Sequence, residues 1–213
     1  MSKQVNTSID FFKLLHYIIC CTTYKLFVNI KVKNMALLNL VTAPDNRLSH
    51  KSVTVTNHDV NTRALMDDML ATMYYNKGVG LAAVQVGVLQ RIIVIDMQDL
   101  VNPDEIARQE GFYPLFLVNP EIVKVSQDKI GANEGCLSLP NQTIELARPS
   151  SLMIKYQDYN NNNVTLEADG WLARAIQHEI DHLEGKLLVD YLSNLKKQFA
   201  IKKLAKIKNA QEL

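Results

Sequence analysis

Between residues 178 and 182 the chain reads His178-Glu179-Ile180-Asp181-His182. On a helix four residues advance about 400°, so both imidazoles fall on one face, a turn apart, and can offer two nitrogens to one metal ion. Glu179 stands beside them, where a carboxylate can act as general base toward a water on the metal and later hand the proton to a leaving amine. The bland alternative is a helix with two exposed histidines. Cys136 shifts that balance. It is the only cysteine after Cys20 and Cys21, inside Glu134-Gly135-Cys136-Leu137-Ser138-Leu139-Pro140. A thiolate and two imidazoles make three protein ligands and leave a position open for water, which is the pattern of a catalytic site rather than a closed structural one. A buried, inert cysteine is the competing reading. A third segment, Gly78-Val79-Gly80-Leu81-Ala82-Ala83-Val84-Gln85, has glycines that allow close backbone approach to a ligand and, in Gln85, a neutral amide donor. It lacks the preceding strand of a dinucleotide fingerprint.

The elements that must position these residues follow from periodicity. Leu65, Met66, Met69, Leu70 and Met73 recur at helical spacing within 62–77, with Asp59 or Asn61 as cap. Residues 78–87 then read as a glycine-punctuated loop, and 91–97 (RIIVIDM) as a buried strand. Residues 115–118 and 121–125 read as two strands around Pro120. Residues 152–159 and 164–168 flank an asparagine turn and suggest a hairpin. From 170 to 183 the apolar residues Leu172, Ile176, Ile180 and Leu183 mark one helix face, and Gly185 is a natural stop. A last helix is expected from a Ser193 cap to about Lys208. The fold class implied is α+β in one domain, residues 35–213.

Composition narrows the partners. With 23 basic and 22 acidic side chains the formal charge is +1, which argues against DNA or an anionic membrane as the main partner. Adjacent Cys20 and Cys21 and a distant Cys136 do not form a disulfide framework, so a reducing compartment fits better. Residues 1–34 carry five lysines, one aspartate and an apolar run of 11 uncharged residues, Leu14 to Tyr24. A spanning helix wants about 20 apolar residues. No small-residue cleavage site and no arginine before Arg47 are present to suggest a signal or transit peptide. This segment is expected to be an extension outside the fold, with Met35 as an alternative start.

The three chemical segments, in this order and at this spacing, resemble the three signature motifs of the peptide deformylase family. The resemblance covers Met35 to about Lys208 and takes in MALLNLVTAPDNRL and LEADGWLARAIQHEIDHLEGKLLVDYLS. It implies a fold of mixed and antiparallel β-sheets around a central metal-bearing helix, with a C-terminal helix. The implied activity is hydrolytic removal of the formyl group from the N-terminal formyl-methionine of nascent polypeptides. By the same resemblance Cys136, His178 and His182 are the metal ligands, Glu179 the general acid/base, and Gln85 with the Leu137 backbone N–H the donors to the formyl oxygen. The implied metal is one divalent ion, Fe2+ first, with Zn2+, Ni2+ or Co2+ able to substitute. The implied setting is a monomer in the bacterial cytoplasm, or in an organelle if the source is eukaryotic.

Substrate contacts are expected from Val79 and Gly80, whose backbone would run alongside the peptide like an added strand. Trp171, Arg174 and Ala175, one to two turns before His178, are candidate walls of the methionine pocket. Ordinary core packing is the alternative for Trp171. Glu134 belongs to the substrate-facing segment and is expected to brace it. Asp181 and Arg148 match positions that pair in relatives. Val84 stands where many relatives have proline, and Asn141-Gln142-Thr143 where others have glycine or a basic residue, which leaves the peptide preference beyond methionine open. Residues 196–208 hold six lysines interleaved with Phe199, Ile201, Leu204 and Ile207. That is either a solvated face or a helix docking on the ribosome, as in some bacterial relatives.

Two rival readings stay open at this point. A zincin-type endopeptidase shares the two-histidine helix but takes its third ligand downstream, where no histidine follows His182. A noncatalytic metal protein would have no use for an open ligand position beside Glu179.

Overall fold

Asp59 starts the first helix, α1 (Val60–Tyr75), by accepting hydrogen bonds from the Asn61 and Thr62 backbone N–H groups at 2.8 and 3.1 Å. Such a cap is worth about 1 kcal/mol. The structure is a computed structural model that describes residues 35–97 and 114–211, with side chains to Lys208. The expected extension at 1–34 lies outside the described residues. The chain divides into two units, 1–36 and 37–213, of which the second carries every helix and strand of the described residues.

After α1 come β1 (Gly80–Ala82), a 3-10 turn at Ala83–Val86, β2 (Ile92–Ile95), β3 (Leu115–Val125), β4 (Lys129–Gly135), β5 (Thr143–Pro149), β6 (Ser151–Gln157) and β7 (Asn163–Asp169). Helix α2 (Gly170–Leu183), a 3-10 turn at Leu188–Tyr191 and helix α3 (Asn194–Gln211) complete the order. Strands β1-β2-β3-β6-β7 form a five-stranded sheet and β4-β5 a two-stranded one. Every pair among these strands is antiparallel. The α+β class and the central two-histidine helix agree with expectation.

Strand β2 explains why residues 92–95 are apolar without alternation: all four side chains are buried. Successive strand residues point to opposite faces. Ile92 and Val94 join the core of Met66, Met69 and Met73 from α1. Ile93 and Ile95 join that of Ala173, Ile176 and Leu183 from α2. The sheet is therefore covered by α1 on one face and α2 on the other. Full burial of such a side chain contributes about 1.5–3 kcal/mol.

Three local expectations change. The loop expected at 78–87 contains strand β1 and a 3-10 turn. The two strands expected around Pro120 are one strand, β3, with a register shift between Val118 and Glu121. At the shift Asn119 takes φ 53°, and its side-chain amide pairs with the Val55 backbone at 2.8 and 2.9 Å. A bulge of this kind lets proline, which has no N–H, stay inside a strand. The hairpin β4–β5 is an addition to the expected elements, because Lys129-Ile130-Gly131-Ala132-Asn133-Glu134-Gly135 has no apolar alternation and is mostly exposed.

The hairpin β6–β7 is as expected. Asp158 accepts the Asn160 and Asn162 backbone N–H groups at 2.9 and 2.8 Å, and Asn161 adopts φ 67°. Helix α2 matches its expected span, and Gly185 ends it at φ +74°, where an added Cβ would meet the Ser49 carbonyl oxygen at 2.6 Å. Only glycine suits both constraints. Helix α3 docks through Ala200 and Leu204 onto Leu48, Leu139, Leu188 and Val189. Phe199, expected to share its apolar face, is instead 64% exposed. No described helix is long and apolar enough to cross a membrane.

Candidate metal centre and active site

Helix α2 presents His178 and His182 on one face, ring centroids 5.0 Å apart and nearly perpendicular. Cys136, at the end of β4, brings its Sγ to 3.2 Å from His182 Nε2. One donor atom from each of Cys136, His178 and His182 lies within 4.8 Å of the other two. On a four-coordinate ion with bonds of about 2.0–2.3 Å, donors sit roughly 3.5 Å apart, so modest inward movement is all that binding requires. Burial, together with the neighbouring His178 and Arg148 charges, holds the His182 imidazole well below its ordinary pKa, hence neutral and able to donate a lone pair. The site fits a divalent ion with nitrogen and sulfur affinity.

The other side of His178 is fixed by Glu134. Glu134 Oε2 lies 2.9 Å from His178 Nδ1, which leaves Nε2 as the donor toward Cys136. Burial alone would depress the His178 imidazolium, but the hydrogen bonds to Cys136 and Glu134 outweigh it and push the pKa up to about 10 in the absence of a metal. Glu134 is itself buried and is held by Arg148 and Arg174: Arg148 Nε and Nη2 donate at 2.7 and 3.0 Å, and Arg174 Nη1 at 2.6 Å. Burial raises the Glu134 carboxyl, and the His178 and Arg148 hydrogen bonds more than reverse this, to about 2. The carboxylate is thus a brace with both oxygens occupied by protein groups. Arg148 Nη1 also donates to Asp181 Oδ2 at 2.8 Å, the expected pair.

Glu179 is buried, and its Oε2 has no hydrogen-bond partner among the described residues. Burial pushes its carboxyl up to about 7. A carboxylate poised near neutral pH with one oxygen left unpartnered is what proton transfer requires. Its position depends on Gly80, since a Cβ there would run into the Glu179 carboxylate. Gly78 likewise meets Leu137 Cδ1 at 2.7 Å from its would-be Cβ. The glycines of the 78–87 segment therefore let β1 lie directly against α2 and the 136–142 turn.

Gln85 projects from the turn after β1 and is almost fully buried. Its Oε1 accepts the Ala82 backbone N–H at 2.8 Å, which orients the Nε2 donor toward Ser138 Oγ at 3.1 Å and Cys136 Sγ at 3.6 Å. Around this centre a cleft of about 450 Å³ is lined by Val79, Gly80, Leu137, Ala175, Glu179 and further residues. Among the described residues β1 pairs only with β2, so its second edge has no strand partner there. Trp171 lines the cleft but is 55% exposed, so it belongs to the mouth and not to the core. Arg174 also lines it, yet its guanidinium reaches Glu134, the Leu146 carbonyl and the Ile130 carbonyl. It lies 5.8 Å from the Trp171 ring centroid.

Sequence reasoning missed Ser138, which receives the Gln85 amide, and Met97, which lines the cleft, whereas Asn141, Gln142 and Thr143 line it as their place in the substrate-facing segment suggested. Ser138 lies within the Cys136 segment, where a polar residue beside a ligand is the one available signal. Met97 carries no such signal.

The chain matches the polypeptide deformylase family over residues 37–198. It is 58% identical over 175 residues to peptide deformylase 1 of Rickettsia conorii, covering 82% of this chain and 98% of that one. The crystal structure of peptide deformylase from Ehrlichia chaffeensis superposes with a TM-score of 0.75 at 43% identity, covering 84% of this chain and all 100% of that chain. A second crystal structure from that organism contains actinonin, at TM-score 0.73, 46% identity and coverage of 81% and 98%.

Proposed function

Because the chain belongs to the peptide deformylase family and is a hydrolase that removes the N-formyl group from nascent polypeptides, we propose that Cys136, His178 and His182 hold its metal and Glu179 moves its proton. The observation that carries this reading is the convergence of those three donors beside a buried Glu179 carboxylate with an unpartnered oxygen. A divalent ion held there supplies a Lewis acid and makes water nucleophilic near neutral pH. Fe2+ is the proposed native ion, with Zn2+, Ni2+ or Co2+ as substitutes the same ligands accept.

The peptide enters with its backbone along Val79 and Gly80 at the open edge of β1, and its methionine side chain lies toward Trp171, Arg174 and Ala175. The Gln85 amide and the Leu137 backbone N–H donate to the formyl oxygen, where negative charge develops. Each such donor is worth roughly 3 kcal/mol at the transition state. Glu179 takes a proton from the attacking water as its oxygen bonds to the formyl carbon. It returns that proton to the nitrogen as the C–N bond breaks, leaving a free methionine amine and formic acid, which gives up its remaining proton to solvent as formate. Glu134, Arg148 and Asp181 keep His178 and α2 in register with the Cys136 turn.

The test is formate release from a short N-formyl-methionyl peptide by protein loaded anaerobically with ferrous iron, with Glu179→Gln as control and internal cleavage followed in parallel. Formate release that requires metal and Glu179 supports the reading. Internal cleavage without formate would replace it with the endopeptidase one.

The remaining proposals concern setting. The folded domain is residues 35–213, acting as a monomer in the bacterial cytoplasm. Helix α3, with lysines at 196, 197, 202, 203, 206 and 208 and with Leu195 and Phe199 exposed, contacts ribosomal RNA phosphates. If pelleting with ribosomes survives deletion of the residues after Ser193, this contact is wrong.

A further inference from the structure

Tyr191 ends the 3-10 turn Leu188–Tyr191 that separates α2 from α3, and nothing in the mechanism uses it. The residue is 42% exposed, yet its hydroxyl donates to Asp181 Oδ2 at 2.8 Å. The same oxygen accepts Arg148 Nη1 at 2.8 Å. The Arg148 guanidinium in turn lies 5.6 Å from the Tyr191 ring centroid, so the one side chain both covers the ion pair and bonds to it. From Arg148 the hydrogen bonds continue to both oxygens of Glu134, and from Glu134 Oε2 to His178 Nδ1 at 2.9 Å. An unbroken run of contacts thus joins the hydroxyl of a half-exposed residue, outside the cleft, to the ring of a metal ligand.

We infer that Tyr191 is a positioning residue for the metal centre, acting on His178 through Asp181, Arg148 and Glu134. This rests on the reading of Cys136, His178 and His182 as the metal ligands. The Asp181 side chain is 19% exposed, so water competes for it. The phenol supplies a second fixed donor to Oδ2 and shields the pair, which strengthens each hydrogen bond in the run. Without the hydroxyl, Asp181 turns toward solvent and Arg148 Nη1 loses part of its anchor. Arg148 then holds Glu134 less firmly, and His178 Nε2 wanders from the direction the metal needs. The ring itself borders a cavity of about 240 Å³ with Ile122, Leu146 and Ile180, so phenylalanine fits in its place without repacking.

The experiment compares wild type, Tyr191→Phe, Asp181→Asn and the double variant, each loaded with cobalt(II). Release of cobalt into excess chelator is followed together with kcat and KM for a formyl-methionyl peptide and the melting temperature of the metal-free chain. The expected result for Tyr191→Phe is cobalt release faster by about 3- to 10-fold, less than the 10- to 100-fold typical of a group bonded directly to a ligand. A similar fall in kcat is expected, with KM and the metal-free melting temperature unchanged. In the Asp181→Asn background the substitution should add nothing. Unchanged cobalt release and kcat overturn the inference. So does an effect that persists undiminished in the Asp181→Asn background, or a change confined to the melting temperature. If wild type releases no formate, the functional reading fails, while the cobalt rates still decide the role of Tyr191.

Discussion

Glu134 Oε2 and His178 Nδ1 lie 2.9 Å apart, both buried, and the contact decides which imidazole nitrogen faces Cys136. The same carboxylate neutralises two buried guanidiniums, Arg148 and Arg174. Replacing it by Gln keeps the shape and removes the charge. Glu134→Gln is expected to weaken metal affinity by about 10- to 100-fold in chelator competition. It is also expected to lower stability to urea by about 3–5 kcal/mol, the usual cost of stranding a buried charge.

The acid response of the metal-free chain follows from the same group. Burial raises the Glu134 carboxyl, but the His178 and Arg148 hydrogen bonds bring it from 4.5 down to about 2. A depressed carboxylate stabilises the fold fully above its unfolded pKa, and that contribution is lost as protons bind below it. Denaturation midpoints should therefore fall as pH drops from about 4.5 toward 2. Glu134→Gln should lack this part of the slope.

Glu179 has the opposite sign. Burial raises its carboxyl from 4.5 to about 7, so the folded state holds a proton that the unfolded state has released, and stability is lost between those values as pH rises. Glu179→Gln should stabilise the metal-free chain above pH 7, by an amount on the order of 1–3 kcal/mol. The same substitution should lower kcat by about 10²- to 10⁴-fold. In the wild-type holoenzyme the acid limb of kcat/KM should fall at or below about pH 7, because a nearby cation favours the carboxylate. Paired denaturation and rate profiles check both statements.

Gly80→Ala separates proton transfer from metal binding. Gly80 has an ordinary strand conformation, so alanine costs the backbone little, but its Cβ meets the Glu179 carboxylate. The variant should keep its metal, measured by atomic absorption, and lose about 10²-fold in kcat, the scale of a 1 Å misplacement.

Helix α2 was legible in the sequence because its apolar period, its paired histidines and its terminal glycine all point to one element. The candidate site residues that the sequence singled out were those whose chemistry is unusual for their position: Cys136, the two histidines, Glu179 and Gln85, and the fold gathers them around one cleft. The hairpin β4–β5 escaped because its side chains are mostly solvated and its stability comes from backbone pairing and the Arg148–Glu134 and Arg174–Glu134 contacts. Arg174 lines the cleft as helix geometry suggested, but its pairing with Glu134 was not legible, because a long cation turns toward a buried carboxylate only once β4 is in place. Trp171 is half exposed because it stands on the first turn of α2, where the helix has not yet entered the core.

The sharing of β2 between two cores has a consequence for how this sequence can drift. Ile93 and Ile95 face the helix that carries the histidines, whereas Ile92 and Val94 face α1. A lost methyl at one residue is felt beneath the reaction centre, and at the next it is felt on the far side of the sheet. Truncating Ile93 or Ile95 therefore loosens packing against the histidine-bearing helix, and truncating Ile92 or Val94 loosens packing against α1.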